Sequence, residues 1–127
     1  MTPRVLVVDD DDAIRRVIAA LLARSGFDVS TASDGDPALR IAEVATPDLV
    51  VVDYNMPTGG LSVVRALKQR HGSEIYVAVL TGDDDPEMRE ECCAAGADVV
   101  LLKPISPKEL RRVLIEAAHA LDASPAA

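Results

Sequence analysis

Short apolar runs alternate with amphipathic stretches along the whole chain. The runs are Val5–Val8, Val29–Thr31, Leu49–Val52, Ile75–Leu80 and Val99–Leu102, rich in Val, Ile and Leu and mostly free of polar interruptions. Strands of a parallel sheet read this way when both faces are covered. Between the runs, apolar residues return at helical spacing. Ile14, Val17, Ile18, Leu21 and Leu22 form one such face, and Leu110, Val113, Leu114, Ala117 and Leu121 another. Asp36-Pro37, Asp85-Pro86 and Ser106-Pro107 each pair an N-cap residue with proline at the first helical position. Ser106 and Glu109 also have capping-box spacing. Gly26 and Gly96 are predicted to stop helices. The pattern makes five βα units, hence an α/β fold with a parallel sheet, helices on both faces and right-handed crossovers. No internal repeat or second domain is visible. Residues 1–122 read as one domain, and Ala123–Ala127 (ASPAA) as a frayed tail.

Polar chemistry collects where the strands end. Strand one runs into Asp9, Asp10, Asp11 and Asp12, strand three into Asp53 followed by Asn55, strand four into Thr81-Gly82-Asp83, and strand five into Lys103-Pro104. Ligands of open α/β sheets bind beyond the carboxyl ends of the strands, at a switch in strand order. If strands one and three are neighbours, several carboxylates converge. They then repel one another unless something neutralises them. A hard divalent cation with oxygen ligands would do so, and Mg2+ typically takes one or two carboxylates with water and phosphate oxygens. Thr81 adds a hydroxyl donor and Lys103 a point charge suited to phosphate. Nucleophile, metal, cation and hydroxyl are the parts of a phosphoryl-transfer site. Asp11, Asp12, Asp84 and Asp85 read instead as helix-start and solvating charges.

Composition narrows the classes. The 127 residues suffice for one core, and with aromatics at 2% that core must be aliphatic. A net charge of −8 argues against a nucleic-acid surface and is compatible with cation binding. Cys92 and Cys93 are adjacent, so a structural disulfide between them is not expected, and they read as small helix residues in a reducing compartment. No signal peptide is visible ahead of Val5 and no apolar run reaches membrane-spanning length, so a cytoplasmic, membrane-free location is expected.

The stretches VLVVDDDDAIRRV, VVDYNMP, VLTGDDD, GADVVLLKP and SPKEL, in that order from Val5 to about Leu121, resemble a receiver domain of the bacterial two-component response regulators. The resemblance implies the doubly wound, flavodoxin-like fold with strand order 2-1-3-4-5. It implies that Asp53 takes a phosphoryl group from a histidine kinase or phosphotransfer protein. Asp10, Asp53 and the Asn55 backbone carbonyl would bind Mg2+ directly, and Asp9 through a metal-bound water. Thr81 would sense the phosphoryl oxygen, Lys103 would pair with Asp53, and Pro104 would follow a cis bond. A stand-alone domain is then expected to signal through an unidentified output protein as a monomer or weak dimer. It would catalyse only its own phosphorylation and dephosphorylation. The chain departs from the family where Val100 replaces an aromatic, Ile105 replaces a frequent Phe, and Val113 replaces a dimer-face arginine. The loop MPTGGL is one residue short, leaving the helix start near Gly59–Leu61 open. Two other readings stand beside this one. One is a receiver-like scaffold that is never phosphorylated. The other is a haloacid-dehalogenase-type phosphatase, for which Asp9 and Asp11 supply a D-x-D pattern.

Overall fold

The structure is a computed structural model that describes residues 2–122. The predicted tail at 123–127 lies outside the described residues. Five parallel strands, β1 (Arg4–Val8), β2 (Asp28–Ala32), β3 (Leu49–Asp53), β4 (Tyr76–Thr81) and β5 (Val99–Leu102), form one sheet in the order β2-β1-β3-β4-β5. The helices are α1 (Asp12–Arg24), α2 (Gly35–Val44), α3 (Gly60–His71), α4 (Pro86–Ala95) and α5 (Pro107–Asp122), with one 3-10 turn at Gly72–Glu74.

Alternation along the strands divides the core in two. Leu6, Val8, Val50, Val52, Val77 and Val79 pack with Ala38, Val63, Leu67, Met88 and Cys92 of α2, α3 and α4. Val5, Val7, Leu49, Val51 and Leu80 pack with Ile18, Leu22, Leu110 and Leu114 of α1 and α5. Each fully buried aliphatic side chain contributes about 1.5–3 kcal/mol. The register Val8↔Val52 and Asp53↔Leu80 then brings the ends of β1, β3 and β4 level at one edge of the sheet.

Five expectations are corrected. The strand pattern Ile75–Leu80 shifts by one residue: Ile75 precedes β4, buried but outside it, and Thr81 closes the strand. The second strand is longer than Val29–Thr31, because Asp28 and Ala32 also pair with β1. Asp36 is not the cap of α2. Asp34 is, its carboxylate accepting from the Gly35 N–H at 2.8 Å, which places Asp36 in the first turn, where its charge suits the helix dipole. The Ser106 box is half made. Ser106 Oγ accepts from the Glu109 N–H at 3.0 Å, but the Glu109 carboxylate goes to Arg112, one turn further on. Finally, the apolar face of α1 is wider than its contact. Ile18 and Leu22 are buried, whereas Ile14 and Val17 are 38% and 64% exposed, because the sheet and α5 reach only one side of the helix. The other stops hold: Gly96 caps α4 in the left-handed region at φ 112°, and Gly26, at φ 95°, follows the α1 cap Ser25.

Candidate functional site

Asp9, Asp10 and Asp53 each place a carboxylate oxygen within 4.8 Å of the others. Asp53 is buried at the end of the central strand β3, and its Oδ1 accepts from Lys103 Nζ at 2.8 Å and from the Asn55 N–H at 3.2 Å. Both contacts fall on one oxygen. Asp9, beyond β1, is 1% exposed. Its Oδ1 accepts from the Asp11 N–H at 2.9 Å, and its Oδ2 is buried without a hydrogen-bond partner. Burial foremost pushes the Asp9 carboxyl above the ordinary range, opposed by the Asp11 N–H and reinforced by the negative charge of Asp53. A buried, unpartnered carboxylate oxygen facing two further carboxylates is what a bound cation would satisfy. Asp10 is exposed at the rim.

Thr81 is fully buried at the end of β4, and its Oγ1 accepts from the Asp83 N–H at 3.1 Å, leaving the hydroxyl proton to donate elsewhere. Lys103 follows β5, the Lys103 N–H donates to the Thr81 carbonyl at 2.6 Å, and the Lys103–Pro104 peptide is cis. The six predicted site residues thus converge from four strand ends. The other acids separate from them. Asp11 caps α1, Asp12 pairs with Arg15, Asp84 pairs with Arg89 and Asp85 caps α4.

Three further features surround the site. Arg15 Nη1 donates to the Asp9 carbonyl at 2.8 Å and so braces the β1 end. Its place one turn into α1, after four acids, was the available sequence signal. Gly60 packs against the Asp53 backbone: a Cβ there would lie 2.3 Å from the Asp53 carbonyl oxygen. The shortened loop settles into this contact, with α3 starting at Gly60 and no side chain capping it. Third, an open apolar groove of about 590 Å³ lies beside the site, lined by Ala13, Ile14, Val17, Ile18, Leu80, Lys103, Pro104 and Ile105. The apolar periodicity of α1 held that signal but does not record which part of the face is covered.

Residues 5–115 match the family model described as the response regulator receiver domain. The chain belongs to this family. It is the receiver of a two-component response regulator. This receiver is 44% identical over 110 residues to the transcriptional regulatory protein PrrA of Mycobacterium leprae, covering 86% of this chain and 47% of that protein. It is 39% identical over 111 residues to the alkaline phosphatase synthesis transcriptional regulatory protein PhoP of Bacillus subtilis, covering 87% and 46%. The chain therefore spans about half the length of the curated relatives it matches. Among solved structures, the Vibrio cholerae chemotaxis protein CheY4 superposes with a TM-score of 0.87 at 34% identity, covering 92% of the receiver and 99% of that chain. The BeF3-activated DrrB receiver domain gives 0.85 at 27%, covering 94% and 99%. Among the described residues, no helix of the receiver is long and apolar enough to cross a membrane.

Proposed function

We propose that this receiver accepts a phosphoryl group on Asp53 from the phosphohistidine of a sensor histidine kinase or phosphotransfer protein. The observation that carries the reading is the asymmetry at Asp53. Lys103 and the Asn55 N–H hold Oδ1, which leaves Oδ2 as the attacking oxygen. An O–P bond forms as the N–P bond breaks, and the electron pair returns to the imidazole nitrogen of the donor. Asp9, Asp10, Asp53 and the Asn55 backbone carbonyl would hold Mg2+. When bound, this ion supplies charge neutralisation between the carboxylates and the incoming group. Lys103 lies against the same carboxylate and offsets the negative charge that gathers during transfer. Thr81, whose Oγ1 already accepts from Asp83, donates its own proton to a phosphoryl oxygen. The donor protein docks over the apolar groove, because Lys103 both lines the groove and touches Asp53.

On this reading the chain turns over no separate substrate. It acts in the cytoplasm as a monomer or weak dimer and signals to an output protein without itself contacting nucleic acid. A small acyl phosphate with Mg2+ tests the central step. Mass spectrometry should show one added phosphoryl group in the wild type and none in Asp53→Asn. Undiminished labelling of Asp53→Asn at an aspartate that the wild type also uses overturns the assignment.

A further inference from the structure

We propose that Tyr54, the residue after the acceptor, is the aromatic relay that carries occupancy of the site to α4. The inference rests on the phosphoacceptor reading above and concerns how the occupied site is read. Val100 stands where the family resemblance puts an aromatic, so β5 offers no ring for this task. The chain has only three aromatic residues. Phe27 and Tyr76 pack on the α1–α5 side of the sheet. Tyr54 alone packs on the other side, against the core cluster that includes Met88 and Cys92 of α4.

The backbone of Tyr54 is held on both sides of its Cα. Its N–H donates to the Leu80 carbonyl at 2.8 Å, one residue before Thr81, and its carbonyl accepts from the Gly60 N–H at 3.3 Å. Motion at this position is therefore left to the half-buried side chain. The ring packs against the core cluster to which α4 contributes Met88, Cys92 and Ala95. Burial first, and then nearby Glu91 and Asp83, raise the pKa of its phenol. The β4–α4 loop is tied to the site by a hydrogen bond from the Asp83 N–H to Thr81 Oγ1. When Thr81 Oγ1 shifts toward a phosphoryl oxygen to donate its proton, the Asp83 N–H bound to it must follow or find another acceptor, and the β4–α4 loop adjusts. A stiff ring transmits such a shift, and the unbranched Met88 in the adjoining cluster can repack to receive it.

The test uses the whole chain with Mg2+ and beryllofluoride. Nuclear magnetic resonance follows the Tyr54 ring, the Met88 methyl, and the amides of Gly82, Asp83 and residues 90–93. In the wild type the ring and α4 signals should both move when the mimic binds. Tyr54→Phe keeps the ring and should keep the α4 displacement. Tyr54→Leu keeps apolar packing without the ring, and should lose about half or more of that displacement while the Gly82 and Asp83 amides still move. Those two amides report that the site is filled. A full α4 displacement in Tyr54→Leu, or unmoved ring signals in the filled wild type, overturns the relay and leaves the acceptor reading standing. No movement at Gly82 and Asp83 in the wild type removes both.

Discussion

Asp9 carries the clearest energetic tension at the scale of single residues. One of its oxygens is buried without a partner, and its carboxyl is pushed up chiefly by that burial. A raised carboxyl keeps its proton in the folded state at a pH where the unfolded chain has lost it. Unfolding free energy contributed by this group therefore falls as pH rises through the interval above its ordinary value. Asp9→Asn should flatten that limb and, without metal, raise stability at neutral pH by about 1–2 kcal/mol. Thermal melts at pH 4 and pH 7 check both statements. Gly60 is constrained by contact instead. Gly60→Ala drives a Cβ into the Asp53 carbonyl and should cost about 1–3 kcal/mol and slow acyl phosphate labelling. Gly82→Ala, where nothing lies within 4 Å, should leave the melting temperature within a degree or so. The site carboxylates, Thr81 and Lys103 were legible in sequence as a set, because four strand ends carry complementary polar groups, whereas Thr81 or Lys103 alone reads as an ordinary strand-end residue. Arg15, Gly60 and Tyr54 were not. Each acts through a backbone contact or a packing face, which residue type and local spacing do not record.

Among the elements, helix starts separate local rules from tertiary ones. Asp85-Pro86 and Ser106-Pro107 begin helices as their spacing predicts. Asp36-Pro37 does not, because Asp34 two residues earlier takes the Gly35 N–H and also accepts from Thr58 of the β3–α3 loop at 2.5 Å. The second partner lies 24 residues away in sequence, and no local pattern could have ranked the two aspartates. Melts of Asp34→Ala and Asp36→Ala should therefore differ, with the larger drop at Asp34, and Asp85→Ala should cost about 1 kcal/mol. Equal drops for Asp34 and Asp36 would return the cap to the predicted place. The strands were legible for a plainer reason. Burial on both faces demands continuous apolar runs, and β3 obeys this along its whole length. Helix α1 shows the converse, since periodicity reveals an apolar stripe but not whether anything covers it. Here Ile14 and Val17 face the groove beside Lys103.

For the molecule as a whole, a net charge of −8 with three carboxylates gathered at one edge leads to the expectation that a divalent cation would stabilise the fold. Saturation at about 100 times the dissociation constant adds about 2.7 kcal/mol. Mg2+ should therefore raise the melting temperature of the wild type and lose most of that effect in Asp10→Ala, with ionic strength held constant by NaCl. The sheet order has a different consequence. Asp53 ends β3, a strand hydrogen-bonded on both sides, whereas its partner Lys103 follows β5, four residues long, half-buried, and paired with β4 alone. Structure opens locally from its least buried edges. The Lys103 ammonium thus follows an edge strand, and the carboxylates follow or end the interior strands β1 and β3. Native-state hydrogen exchange should show Leu101 and Leu102 amides exchanging through small openings while Val50–Val52 wait for global unfolding. On that expectation, each excursion of the edge would strip Asp53 of its counter-charge, and the breathing of β5 would set how often that carboxylate stands alone.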